Sequence, residues 1–168
     1  MVRGKYRILS KVGEGGMGAV YKALHVAFNE LRALKVIRPG LVRDEVFVKR
    51  FRQEAVFARR LQHPNAVRVD DIDEADDGRP LIVMEFIEGE NLKGLIGAEG
   101  PLPVERVCSV AKQVASALQA AHAMGMIHRD IKPANIVLVP SPEGEQAKVL
   151  DFGIAKIKEA RAQETSLN

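Results

Sequence analysis

At 168 residues the chain can form one domain with a sizeable core, or two small lobes. It is 46% hydrophobic and 28% charged with a net charge of +3, and two Tyr and no Trp make a poor stacking platform for the aromatic-interleaved basic stripe of a nucleic-acid binder. The single cysteine, Cys108, excludes an intrachain disulfide, and no run approaches the roughly 18 apolar residues that span a bilayer.

Residues 6–12 read as a strand, followed by a glycine cluster and a second strand over 19–25. A third strand over 31–37 is broken by Pro39-Gly40, and Asp44 then caps a helix. Phe47, Phe51, Ala55, Ala58 and Leu61 recur every three or four residues as its buried stripe, and His63-Pro64-Asn65 ends it. The basic residues Lys49, Arg50, Arg52, Arg59 and Arg60, interrupted by Glu45 and Glu54, read as a solvated face. Strands are expected over 66–70 and 81–86, joined by an acidic turn. Reading that turn as an EF-hand places Gly78 sixth but Ala75 third and Met84 twelfth, so the calcium register fails. From Gly89 the character becomes helical, and residues 103–124 carry Val107, Val110, Ala111, Val114, Ala117, Leu118 and Ala121 at helical spacing. Cys108, inside that pattern, reads as a small buried residue, and His122 as a hydrogen-bonded core residue. Gly125 stops the helix, and short strands follow over 136–139 and 147–150. Strands first and helices second imply two lobes, 1–86 and 87–168. The N-terminus shows no signal region, so the chain reads as cytoplasmic, which is compatible with a membrane anchor in a longer parent protein.

Three groups of residues carry chemistry. Gly13-Glu14-Gly15-Gly16-Met17-Gly18-Ala19-Val20 has the spacing G-x-G-x-x-G-x-V. A dinucleotide fold needs a helix directly after such glycines, whereas residues 19–24 alternate as a strand. The context is a strand–turn–strand flap whose backbone N–H groups can approach phosphate oxygens, with Val20 covering a base. Lys35 lies within an apolar strand, and Glu54 lies on the buried stripe of its helix, where a carboxylate needs a cationic partner. Lys35 is the natural candidate. Finally, His128-Arg129-Asp130-Ile131-Lys132-Pro133-Ala134-Asn135 packs polar and ionisable groups between apolar segments, and Asp151-Phe152-Gly153 follows about twenty residues later.

In this order, together with His63-Pro64-Asn65 and Met84-Glu85-Phe86-Ile87-Glu88-Gly89, these motifs resemble a protein kinase catalytic domain, specifically the bacterial kinases of eukaryotic type. The resemblance runs from about residue 6 to 156. It implies an α+β, protein kinase-like fold: a strand-rich N-lobe with one main helix and an incomplete helical C-lobe. It also implies that Asp130 accepts the proton of the attacking hydroxyl, that Lys132 contacts the transferred phosphoryl group, and that Lys35, held by Glu54, reaches the phosphates. Asn135 and Asp151 would hold Mg²⁺, or Mn²⁺ in its place. ATP would be taken by the glycine loop, by Ala33 and Val137 around the adenine, by backbone groups of Glu85 and Ile87, and by Met84 at the back of the pocket. Lys132 resembles the serine/threonine class, so the implied partner is a protein substrate, with no nucleic acid and no membrane segment. Arg129 implies control by phosphorylation of the downstream loop. His128 and Phe152 read as structural supports.

The family pattern continues beyond Asp151-Phe152-Gly153 into an activation segment and several helices, whereas fifteen residues, 154–168, follow here. The helix over 103–124 would then expose apolar surface, at about 25 cal/mol for each Å², and the isolated chain would have little activity. Thr165 and Ser166 are candidate modification sites. Two alternatives to a kinase stand beside this reading: a nucleotide-binding or interaction module without phosphoryl transfer, and a small-molecule phosphotransferase of kinase-like fold.

Overall fold

The computed structural model describes residues 2–142 and 144–152. They divide into two compact units: residues up to 59 with 68–86, and residues 60–67 with the chain from 87 onward. Thr165 and Ser166 lie outside the described residues.

The first unit is built on an antiparallel sheet of β1 (Tyr6–Glu14), β2 (Gly18–His25), β3 (Glu30–Ile37), β4 (Val69–Glu74) and β5 (Pro80–Glu85), in the spatial order β1-β2-β3-β5-β4. β3 is central, and Leu34 to Ile37 are all buried, as expected of a strand covered on both faces. On one face Leu34 and Val36 cluster with Tyr6, Ala23, Leu81 and Val83. β1 is an edge strand interrupted by two register shifts, which leave Leu9 and Val12 exposed. Helix α1 (Glu45–Arg60) starts where Asp44 accepts a 2.9 Å hydrogen bond from the Phe47 N–H, the cap read from the sequence. It buries Phe47, Phe51, Ala55 and Ala58, and Arg52 ties it to Glu74 of β4 at 2.6 Å.

β4 begins three residues later than the sequence suggests. Ala66 and Val67 belong to the second unit, where the Val67 N–H donates to the Val149 carbonyl at 2.9 Å. Consequently Asp70, Asp71, Asp73 and Glu74 lie in a strand, where Arg32 and Arg68 meet Asp70, Lys5 meets Asp73, and Arg3 meets Glu74. Among the described residues no group of three or more His, Cys, Asp or Glu side chains is placed to hold a metal ion.

In the second unit, β6 (Glu90–Asn91), β7 (Ile136–Ser141) and β8 (Gly144–Val149) form a sheet in that order, accompanied by α2 (Leu92–Glu99) and α3 (Val104–Ala123). Asn91 caps α2 by accepting from the Gly94 N–H at 3.0 Å. The core joins Val110, Val114, Ala117 and Ala121 of α3 to Ile136, Leu138, Ala147 and Val149. This arc is narrower than the apolar pattern of the sequence. Val107 and Ala111 are exposed, and so are Cys108 and His122, which correct the expectation that both are buried. Cys108 and His122 lie off the 110–114–117–121 row. No helix among the described residues is long and apolar enough to cross a membrane.

Candidate functional site

The glycine cluster forms the β1–β2 turn, with strand on both sides. The Gly15 N–H donates to the Gly18 carbonyl at 2.9 Å. Gly18 is demanded by the protein itself: a Cβ there would lie 2.0 Å from the Val36 carbonyl oxygen. Gly13 and Gly15 are different, since a Cβ on either would meet no atom of the described residues within 4 Å. Glu14 accepts from Lys11 and, at 3.4 Å, from Arg38.

Sheet register collects the other candidates of this unit. Val20 pairs with Lys35, which pairs with Ile82, while Ala33 pairs with Met84. Cross-strand partners share a face and residues two apart return to it. Val20, Ala33, Lys35 and Met84 therefore lie on one face, opposite the Leu34–Val36 cluster. Lys35 is 8% exposed, a degree of burial rare for lysine. Glu54 is half-buried on α1, beside Phe51, Ala55 and Ala58. The Glu85 N–H donates to the Arg68 carbonyl at 3.0 Å.

Asp130, Lys132 and Asn135 come together in the second unit. Lys132 Nζ donates to Asp130 Oδ2 at 2.7 Å, and Asn135 Nδ2 donates to the Asp130 carbonyl at 2.8 Å and to Oδ2 at 3.2 Å. A turn of 3₁₀ helix, Pro133–Asn135, aims Asn135 back at Asp130. Behind them the His128 ring, 1% exposed, accepts from the Asp130 N–H at Nδ1 (3.2 Å) and donates from Nε2 to the Leu150 carbonyl (2.7 Å). This pattern requires the tautomer protonated at Nε2. The Leu150 N–H then donates to the Asn135 carbonyl at 2.8 Å. The hydrogen bonds thus close a circuit, Asp130 to His128 to Leu150 to Asn135 and back to Asp130. Asp151 follows directly with φ of 59°, and Arg129 has φ of 65°, both in the left-handed region. Buried Phe152 meets the His128 ring edge-on, with centroids 4.9 Å apart. Val137 is buried on β7, where Gly89 approaches so closely that a Cβ would stand 2.3 Å from the Leu138 carbonyl oxygen. Ile87 is half-buried at the start of this unit's main segment.

Sequence reasoning missed a polar brace joining α3, β8 and the segment around Asn65. Gln113 of α3 accepts from the Ala147 N–H and from Asn65 Nδ2, both at 2.8 Å, and donates to the Glu145 carbonyl at 3.0 Å. Asn65 in turn donates to the Ala147 carbonyl at 2.9 Å, and His63 Nε2 meets Ser116 Oγ at 3.1 Å. One signal was available: Gln113 sits three residues after Val110 and four before Ala117, a polar residue on a buried row. Arg106 adds an outer tie, reaching Glu99 and Glu145, each at 2.7 Å. Its hydrogen bonds hold the Glu145 carboxyl below the usual glutamate range.

The family model "Protein kinase domain" matches residues 6–167. The serine/threonine-protein kinase pkn3 of Myxococcus xanthus is 46% identical over 157 residues, which cover 93% of this chain and 29% of that protein. The serine/threonine-protein kinase PrkC of Bacillus subtilis is 42% identical over 154 residues, covering 92% and 23%. The chain thus spans under a third of the length of these curated relatives. The crystal structure of the Mycobacterium tuberculosis PknI kinase domain superposes with a TM-score of 0.75 at 36% identity, over 90% of this chain and 61% of that one. With its strand order, its one-faced set around Lys35 and its Asp130–Asn135 loop, the chain belongs to the protein kinase domain family, among the bacterial serine/threonine kinases.

Proposed function

We propose that this chain carries the phosphoryl-transfer centre of a protein serine/threonine kinase, moving the γ-phosphate of ATP to a serine or threonine hydroxyl of a protein substrate. The observation that carries this reading is the tethering of Asp130 by Lys132 and Asn135, braced by buried His128. A carboxylate held in this way is preorganised to take the proton of an incoming hydroxyl. Lys132, already 2.7 Å from that carboxylate, offers its positive charge to the phosphoryl group in transfer.

The residues present fit ATP and Mg²⁺. Asn135 and Asp151 supply hard oxygen donors, and one or two such ligands plus phosphates suit Mg²⁺. The Asn135 amide nitrogen is occupied by Asp130, which leaves its oxygen as the end for a cation. Open space over Gly13 and Gly15 fits the close approach of a phosphate, because no protein neighbour explains those glycines. When bound, Mg²⁺ neutralises charge developing on the phosphates. Lys35, oriented by Glu54, would meet the nucleotide phosphates, and Val20, Ala33, Met84, Val137 and the backbone of Glu85 and Ile87 would meet the base. Since the reaction consumes ATP, it belongs on the cytoplasmic side of the membrane.

Substituting Asp130→Asn keeps the size and removes the base. We expect transfer to a generic serine- and threonine-rich protein to fall by about 10²- to 10⁴-fold, with nucleotide binding retained. Undiminished transfer would sink the reading. Residues 1–168 alone are expected to bind nucleotide but transfer phosphate slowly, a view supported by the exposure of Val104 and Val107 on α3. Robust transfer by that polypeptide would overturn this second part.

A further inference from the structure

The turn that would receive the phosphates contains a carboxylate. Glu14 lies between Gly13 and Gly15, and an unscreened negative charge there would oppose an anionic ligand. Two cations meet it: Lys11, three residues back on β1, and Arg38, just beyond the end of β3. Lys11 first, and then Arg38, hold the Glu14 carboxyl below its usual range.

Arg38 also bonds the opposite leg of the same turn. Its backbone N–H donates to the Met17 carbonyl at 3.0 Å, one step past the last β2–β3 pair, Gly18 with Ile37. Its guanidinium reaches back to Glu14 at 3.4 Å. The downstream leg is further fixed by Gly18, packed beneath the Val36 carbonyl. A single residue thus touches both legs of the turn, the downstream one by backbone and the upstream one by side chain.

We propose that Arg38, assisted by Lys11, is a positioning residue for the nucleotide phosphates: it holds both legs of the glycine turn and takes up the charge of Glu14. This inference rests on the nucleotide-binding reading given above. Arg38 and Glu14 are each about half exposed (47% and 49%), so the pair is screened by salt and its effect is modest.

The test is a binding series on the purified chain with Mg²⁺–ATP, Mg²⁺–ADP and adenosine. At low salt Arg38→Ala should weaken ATP binding by about two- to fivefold, the range of an exposed ion pair. ADP should lose less and adenosine nothing, and the ATP effect should shrink at high salt. Adding Glu14→Gln to Arg38→Ala should recover part of the ATP affinity, because the charge that Lys11 alone then offsets is gone. Equal losses for adenosine and ATP would overturn the proposal, since a merely structural role predicts that result. An Arg38→Ala variant that binds ATP as the parent does would overturn it too. Amide hydrogen exchange without ligand supplies an independent arm, in which Arg38→Ala should speed exchange at residues 14–18 and leave α1 unchanged. If that arm behaves as expected but the parent chain binds no nucleotide, the nucleotide reading fails and the phosphate role fails with it, while the clamp on the turn stands. Unchanged exchange at residues 14–18 would remove the side-chain half of the clamp, and the proposal with it.

Discussion

The glycines of the β1–β2 turn share a spacing but not a cause. Gly18 lies under the Val36 carbonyl, where a Cβ would come to 2.0 Å of a backbone oxygen that cannot swing aside, whereas Gly15 faces open space. Gly18→Ala should therefore cost about 1–3 kcal/mol of folding stability, the usual cost of overpacking. Gly15→Ala should leave the urea midpoint nearly unchanged. Equal midpoints for the two variants would show that the close contact is not limiting. The spacing of the loop was legible in the sequence, but the reason for each glycine was not, because Gly18 answers to a strand eighteen residues downstream. Lys35 and Glu54 were legible for a physical reason: a charge placed among buried apolar neighbours stands out. Cys108 and His122 were misread since apolar neighbours in sequence do not fix the width of a helix's buried arc.

Among the elements, α3 and β8 are joined by an amide side chain acting as a surrogate strand. Gln113 bonds the Ala147 N–H and the Glu145 carbonyl on the outer edge of β8, where a further strand would otherwise bind. Gln113→Ala would leave the N–H of fully buried Ala147 without this acceptor. The loss should be about 1–3 kcal/mol, read from chemical denaturation. A change smaller than that of an exposed neighbour, such as Lys112→Ala, would refute the brace. Arg106 adds a pH dependence. Its hydrogen bonds depress the Glu145 carboxyl, so the pair stabilises the fold above the unfolded glutamate value, near 4.5, and that contribution is lost as pH falls through the lower folded value. Glu145→Gln should flatten the acid limb of a melting-temperature profile without shifting the neutral plateau much. A limb as steep as the parent's would exclude this pair as a source of acid sensitivity. The boundaries of β4 escaped the sequence because competition decides them: Ala66 and Val67 have the residue types of a strand, yet their partner is Val149.

At the scale of the molecule, the chain crosses from one unit to the other three times, after Arg59, Val67 and Phe86. Fold class and motif order were legible because each unit carries its own periodicity and its own motifs. Among the described residues, Val104 and Val107 of α3 are exposed, and Leu92, Ile96, Leu102 and Val107 help line a depression of about 370 Å³. Such surface weakens a domain at about 25 cal/mol for each Å².

The hydrogen-bonded circuit behind Asp130 has a consequence for how this sequence can vary. Leu150 takes part through its carbonyl and its N–H alone. Evolution is therefore free to change the Leu150 side chain as local packing allows, provided it never installs proline, which has no N–H to give Asn135. His128 and Asn135 enter the same circuit through their side chains and have no such freedom. A family alignment would be expected to show three near-invariant columns, Asp130, His128 and Asn135, tied together through one that drifts.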